Sequence, residues 1–219
     1  MAIRALLFDI DGTLIDSNER HVDAWGLAFR EAGRPQELDA IRAQIGKGGD
    51  QLMPALLPDE PALHTPIAER QGAIFADLYL PHVRPFPGAA ELVRAVAARG
   101  RAVVLASSAK RAELDVYLDR LALRDVVTAT TSSDEVEASK PAPDIFAAAL
   151  AAVGVAPEEA LAIGDTPYDV EAAARSGVAT VALLSGPFDE EALRAAGAIA
   201  LYADAAALLA GLEESPLLR

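Results

Sequence analysis

Four short stretches of this 219-residue chain carry residue types suited to metal-assisted handling of an anionic group. Asp9 and Asp11 stand two apart in Phe8-Asp9-Ile10-Asp11-Gly12-Thr13. If extended backbone continues through them, both carboxylates point the same way. Close carboxylates repel, and a bound cation relieves that repulsion. Asp165 adds a further oxygen of the kind that suits magnesium. Ser107 and Ser108 offer a hydroxyl and a backbone amide to a phosphoryl oxygen, and also suit the start of a helix. Lys140 precedes Pro141, which favours extended backbone and a loop position. The only other lysines are Lys47 and Lys110, so the choice of lysine at 140 is informative. Asp165 and Asp169 flank a helix start, where a carboxylate also favours the positive helix end. That alternative suits Asp169 better than Asp165, which ends an apolar run.

The elements that must position these residues are short runs that are apolar throughout, the pattern of buried parallel strands. They are Ile3–Phe8, Ala102–Ala106, Val126–Thr130, Leu161–Ile163, Val178–Leu183 and Ala198–Leu201. Between them, Gly88–Arg99, Lys110–Leu121, Ala142–Val153 and Pro167–Ser176 have helical spacing. Thr166 suits the N-cap of the last helix, Pro167 its first position, and Gly177 the position past its end. Strand alternating with helix predicts an α/β fold with a doubly wound, Rossmann-like parallel sheet. In such sheets ligands bind at the carboxyl ends of strands, where the acids, Ser107, Ser108 and Lys140 are delivered. Residues 16–84 break the rhythm. They read as helices at Ser17–Ala32, Asp50–Leu57 and Glu60–Tyr79, with no strand. The expected organisation is a core of 1–15 and 85–219 with a small all-helical cap, 16–84, inserted after the first strand.

Composition narrows the function classes. Hydrophobic residues make up 52% of the chain, enough for a sizeable core and too many for disorder. No apolar run approaches the roughly 20 residues needed to span a bilayer. The first apolar run leads straight into acids, which favours a strand over a signal peptide. Cysteine is absent, excluding disulfides and thiolate chemistry, and the three histidines lack zinc-ligand spacing. A cytoplasmic location is expected. The formal net charge of −14 disfavours nucleic-acid and anionic-membrane partners. Neither nucleotide-binding glycine motif, G-x-x-x-x-G-K-[ST] or G-x-G-x-x-G, occurs. The expected partner is a small phosphorylated substrate, and the expected state a monomer or homodimer.

Taken together, the chain resembles the haloacid dehalogenase superfamily of phosphohydrolases over essentially its whole length. The four motifs occur in order, at Phe8–Leu14, Leu105–Ser108, Ser139–Pro141 and Gly164–Asp169. Ala106–Lys110 and Ala138–Phe146 look like the β-phosphoglucomutase branch and its phosphatase relatives. The resemblance implies Asp9 as nucleophile through an aspartyl-phosphate and Asp11 as general acid and base. It implies Mg2+ held by Asp9, the Asp11 carbonyl and Asp165, with Ser107, the Ser108 amide and Lys140 on the phosphoryl oxygens. Asp169 would orient Lys140 or a metal-bound water. An acid at Asp11 distinguishes phosphate-ester members from dehalogenases and phosphonate-cleaving relatives, which lack it.

Phosphatase is favoured over a β-phosphoglucomutase-type phosphotransferase by two departures. The mutases carry glutamate where this chain has Gly164. They also carry a cap arginine, where Ile45–Asp50 offers only Lys47. A non-catalytic scaffold would have no physical reason to keep three carboxylates together. Gly46, Gly48 and Gly49 permit a tight cap turn toward the site, where Lys47 would meet a substrate anion or hydroxyl or else be a solvated lysine. His21 and Trp25, one helical turn apart, would line the cavity, with core packing an equal reading for Trp25.

Overall fold

A computed structural model describes residues 2–219. The chain begins with β1 (Ala5–Phe8) and β2 (Ile15–Asp16), then α1 (Asn18–Glu31), α2 (Leu38–Arg42), α3 (Gly49–Leu56) and α4 (His64–Ile74). It continues through β3 (Arg84–Pro85), α5 (Ala89–Ala97), β4 (Ala102–Ala106), α6 (Arg111–Leu121), β5 (Ala129–Thr131) and α7 (Asp144–Val153). It ends with β6 (Ala160–Gly164), α8 (Pro167–Arg175), β7 (Ala179–Leu183), α9 (Glu190–Ala196), β8 (Ala200–Tyr202) and α10 (Ala205–Ala210).

Six strands form one parallel sheet in the order β5-β4-β1-β6-β7-β8. Alternation along each strand sends side chains to opposite faces. Leu6, Phe8, Val103, Leu105 and Ile163 join the larger cluster with Leu92, Val93 and Val96 of α5. Ala5, Leu7, Val104 and Ala162 pack on the other face against Ile145 and Phe146 of α7 and Ala172 of α8. Both faces are thus covered, which explains why the strands are apolar throughout. The larger cluster continues into Val22, Trp25 and Phe29 of α1, so the helical segment shares the sheet's apolar packing.

The structure departs from the sequence expectations in local ways. Residues 16–84 are not strand-free at their ends: β2 and β3 pair antiparallel, Ile15 with Pro85 and Asp16 with Arg84. Two-residue strands leave no alternation to read. The expected strand Val126–Thr130 forms only at Ala129–Thr131; Val126 and Val127 lie in the turn before it, bonded to the Leu123 carbonyl. The expected helix Glu60–Tyr79 divides into a 3₁₀ turn at Pro61–Leu63, α4, and a π-helical turn at Phe75–Tyr79. Helix α2 has five residues, too few for a periodic signal. The start of α8 follows its sequence signals. Thr166 accepts from the Asp169 amide, Asp169 bonds back to Thr166, and Pro167 opens the helix.

Candidate active site

Strand register explains the convergence. Phe8 pairs with both Leu105 and Ile163, so β1, β4 and β6 end level. Asp9, Ser107 and Asp165 therefore emerge along one edge of the sheet. Lys140 reaches the same place from the loop before α7. It does not project into solvent but is fully buried. Its Nζ ion-pairs with Asp9, lies 2.7 Å from Asp169 Oδ1 and donates to the Ala106 carbonyl at 3.1 Å. Asp169 Oδ2 accepts from the Thr166 amide and hydroxyl. Asp165 accepts from Thr13 Oγ1 at 2.9 Å and Asn18 Nδ2 at 2.8 Å. Gly186 packs so closely that a side chain there would collide with the Asp165 carboxylate.

Burial pushes Asp9 up to about 7; Lys140 opposes the shift, while Asp169 and Asp11 add to it. Burial, then Asp169 and Asp9, push Asp165 well above the ordinary carboxylate range. Burial opposes the charge on Lys140, but the Asp169 and Asp9 carboxylates outweigh it and hold the ammonium above its ordinary value. Asp9, Asp165 and Asp169 each place an oxygen within 4.8 Å of the others. Three carboxylates facing one ammonium leave an excess of negative charge in a dry site. Its all-oxygen donors fit a hard divalent cation. Burial first, and the same charge excess after it, raises the proton affinities of Asp9 and Asp165.

Asp11 does not point alongside Asp9 as extended backbone implied. The chain turns at Ile10, whose carbonyl accepts from Thr13, Leu14 and Ile15, and Gly12 takes φ +81°. Asp11 Oδ1 instead accepts from Ser17 and, at 2.8 Å, from Tyr117, with His21 Nε2 at 3.2 Å. Burial raises the Asp11 carboxyl, but His21, Ser17 and Tyr117 together bring it below its ordinary value. Burial opposes protonation of His21, which Asp11 and Glu113 more than offset, so its pKa is raised. Tyr117 Oη is also 2.8 Å from Glu113 Oε1. A phenol has one proton to donate, so the second contact requires a proton on a carboxyl. Burial supplies the candidate by lifting Glu113 to about 7.

Ser107 is buried, and its Oγ accepts from the Ala109 amide at 3.0 Å, which leaves its own proton free to donate. Ser108 lines a cavity of about 440 Å³ that Asp9, Asp11, His21, Trp25, Gly46 and Lys47 also line. His21 stacks on Phe75 with ring centroids 3.8 Å apart. Trp25 is 5% exposed and tilts against Phe29, so it both packs in the core and meets the cavity. Lys47 Nζ donates to Gln44 Oε1 at 2.6 Å and sits 4.5 Å from the Tyr168 ring centroid. Gly46 has φ +101°, and a Cβ there would lie 2.6 Å from Thr166 Oγ1. Asp50 accepts from the Ser139 amide at 3.0 Å, and Tyr168 donates to the Ala43 carbonyl at 2.6 Å. These contacts seat the helical segment directly over the strand ends.

The sequence reading missed Thr13, Ser17, Asn18, Glu113 and Tyr117. Glu113 and Tyr117 are four apart on α6 and so share a helix face, which spacing alone reveals. What that face meets depends on α6 packing beside Asp11, and no local signal carries it.

Residues 3–177 match the model of the haloacid dehalogenase-like hydrolases. The phosphoglycolate phosphatase of Rhodospirillum rubrum is 29% identical over 216 residues, covering 94% of this chain and 89% of that protein. The validoxylamine A 7'-phosphate phosphatase of Streptomyces hygroscopicus subsp. limoneus is 27% identical over 191 residues, covering 87% and 89%. A crystal structure of a hydrolase from Pseudomonas syringae superposes with a TM-score of 0.90 at 30% identity, covering 96% of this chain and 98% of that one. The chain belongs to the haloacid dehalogenase-like hydrolases.

Proposed function

We propose that the protein is a magnesium-dependent phosphatase that hydrolyses a small phosphorylated metabolite through an aspartyl-phosphate on Asp9. The observation that carries this reading is the meeting of Asp9, Lys140, Asp165 and Asp169 beside one half-open cavity that Asp9 lines. Asp9, Asp165 and the Asp11 carbonyl would hold the metal. Bound magnesium neutralises charge on the phosphoryl oxygens. An Asp9 oxygen attacks phosphorus as the bond to the ester oxygen breaks. Asp11 gives that oxygen a proton, drawn from the Asp11–His21 pair, and later takes one from the water that hydrolyses the acyl phosphate. Lys140, the Ser107 hydroxyl and the Ser108 amide hold the transferring oxygens, and Asp169 fixes the Lys140 ammonium.

Residues 16–84 act as a cap on a core of 1–15 and 85–219, closing to exclude water. Substrates of the class that relatives' names indicate, phosphoglycolate among them, are candidates. Mutase chemistry has less support, because among the described residues no arginine lines the cavity to grip a second phosphate. With magnesium, β-glucose 1-phosphate is expected to give free phosphate and no glucose 6-phosphate. Release of phosphate from p-nitrophenyl phosphate should require the metal. Metal-independent turnover, or none, would sink the proposal.

Gly46→Ala is expected to lower kcat/KM by about 100-fold, because a methyl against Thr166 displaces the cap turn that positions substrate. Steady-state kinetics beside an unchanged circular-dichroism spectrum would check it.

Metal-free stability should fall between pH 6 and pH 8. Asp9, Asp165 and Glu113 have raised folded pKa values, so the native state holds protons the unfolded chain has lost. Their contribution is full below about pH 4 and fades as pH rises through the folded values. Raised His21 acts in the same direction, and lowered Asp11 matters only in acid. A fall in Tm of about 3 °C or more is expected, equivalent to roughly 1 kcal/mol at this length. Magnesium should restore more at pH 8, where fewer protons compete for the carboxylates. Calorimetry with and without the metal measures both.

A further inference from the structure

Building on the proposed phosphatase reading, we infer that the cavity selects phosphate esters whose organic part is a neutral or amine-bearing polyol, with Glu113 as the specificity-determining residue against a second anion. Beyond Asp9 and the Asp11–His21 pair, the charged side chains lining the cavity are the acids Asp50, Glu69, Glu113 and Glu137 and the cations Lys47 and Lys110. Among the described residues these acids therefore outnumber the lysines two to one, and no arginine is present for bidentate recognition of a carboxylate or phosphate.

The cation nearest the cap turn is already engaged. Lys47 donates to Gln44 and lies over the Tyr168 ring. Burial lowers its pKa from the ordinary lysine value. Lys110 is exposed at the core side of the opening. Glu113 is differently placed. Its side chain is 17% exposed, beside the Asp11–His21 pair where the ester oxygen must sit for proton transfer. Tyr117 occupies Oε1, and the other oxygen makes no hydrogen bond among the described residues. An ester with hydroxyls or an ammonium near its reacting end can donate to that oxygen. At pH 8, above the value of about 7 to which burial lifts Glu113, a carboxylate or second phosphate there meets a like charge within reach of Asp11 as well. The chain's net charge of −14 adds to that bias during approach.

The cavity, at about 440 Å³, also has room for a substrate larger than a two-carbon acid.

The test compares kcat/KM at pH 8 with magnesium for phosphoglycolate, glycerol 3-phosphate, glucose 6-phosphate and glucosamine 6-phosphate. The three polyol esters are expected to exceed phosphoglycolate by at least about 10-fold, as one unfavourable charge contact of this kind predicts. Glu113→Gln should narrow the ratio of glycerol 3-phosphate to phosphoglycolate by about 5-fold or more, of the order of one charge-assisted hydrogen bond. A purely structural role would lower all four values together and leave the ratio fixed. Phosphoglycolate matching or beating the polyol esters overturns the inference alone, as does an unchanged ratio in the variant. Absence of turnover on all four esters and on p-nitrophenyl phosphate overturns the phosphatase reading with it.

Discussion

Asp9→Asn is expected to lose turnover by about 10⁴-fold or more while keeping the fold, the scale seen when a covalent nucleophile is removed. The substitution is isosteric, so the packing at the end of β1 is undisturbed. What disappears is the anionic oxygen that must bond to phosphorus. An amide oxygen has neither the charge nor the basicity for that step. Lys140 keeps its ion pair with Asp169 and its bond to the Ala106 carbonyl. Burial and the neighbouring acids already push Asp9 up to about 7, so at pH 8 a neutral asparagine removes a strained charge. The metal-free variant should therefore melt no lower than the parent at pH 8, and its melting temperature should respond less to magnesium. Turnover within 10-fold of the parent, measured by phosphate release, would exclude Asp9 as nucleophile.

Lys140→Met is expected to cost about 3–5 kcal/mol of stability at pH 8, the range for removing one partner of a buried ion pair. Lys140 is fully buried and, among the described residues, is the one cation paired with Asp9 and Asp169, which lie beside Asp165. Methionine fills much of the same volume, so the loss is electrostatic. Three carboxylates are left without a counter-charge, and they relieve the repulsion by taking up protons. The variant's deficit should therefore shrink at pH 6, since proton uptake by the native state favours folding at lower pH. Magnesium should recover part of the deficit, and so should a second substitution, Asp9→Asn, which removes one of the repelling charges. Urea denaturation at both pH values reads all three effects. A deficit below about 1 kcal/mol at pH 8 would mean that the ammonium is not what holds these acids together.

The helical segment shows how much the primary structure discloses and where it stops. Helix α1 was legible because its apolar residues Val22, Trp25 and Phe29 recur at helical spacing along one face. The β2–β3 ribbon was not, because a two-residue strand has no periodicity and its pairing links positions about seventy residues apart. The sheet was legible for the opposite reason. Its strands are buried on both faces, so they read as unbroken apolar runs, each ending where polar chemistry begins. At β5 that signal misled: Val126 and Val127 are partly buried in a turn, and burial of a turn leaves the same composition as burial of a strand.

What the order of residues determined by itself was the inventory: Asp9 and Asp11 after one strand, Ser107 after another, Lys140 before a proline, Asp165 and Asp169 around a capped helix start. Propensity, hydrophobic pattern and capping are local properties, so these assignments needed no neighbours. Only the tertiary structure decided who faces whom. Parallel register brought Asp9 and Asp165 together, and burial made Lys140 the counter-ion of Asp9 and Asp169. The turn at Ile10 sent Asp11 to Ser17, His21 and Tyr117 instead of to the other acids. Proton affinities followed from those placements, because desolvation and charge pairing depend on distances that no spacing along the chain specifies.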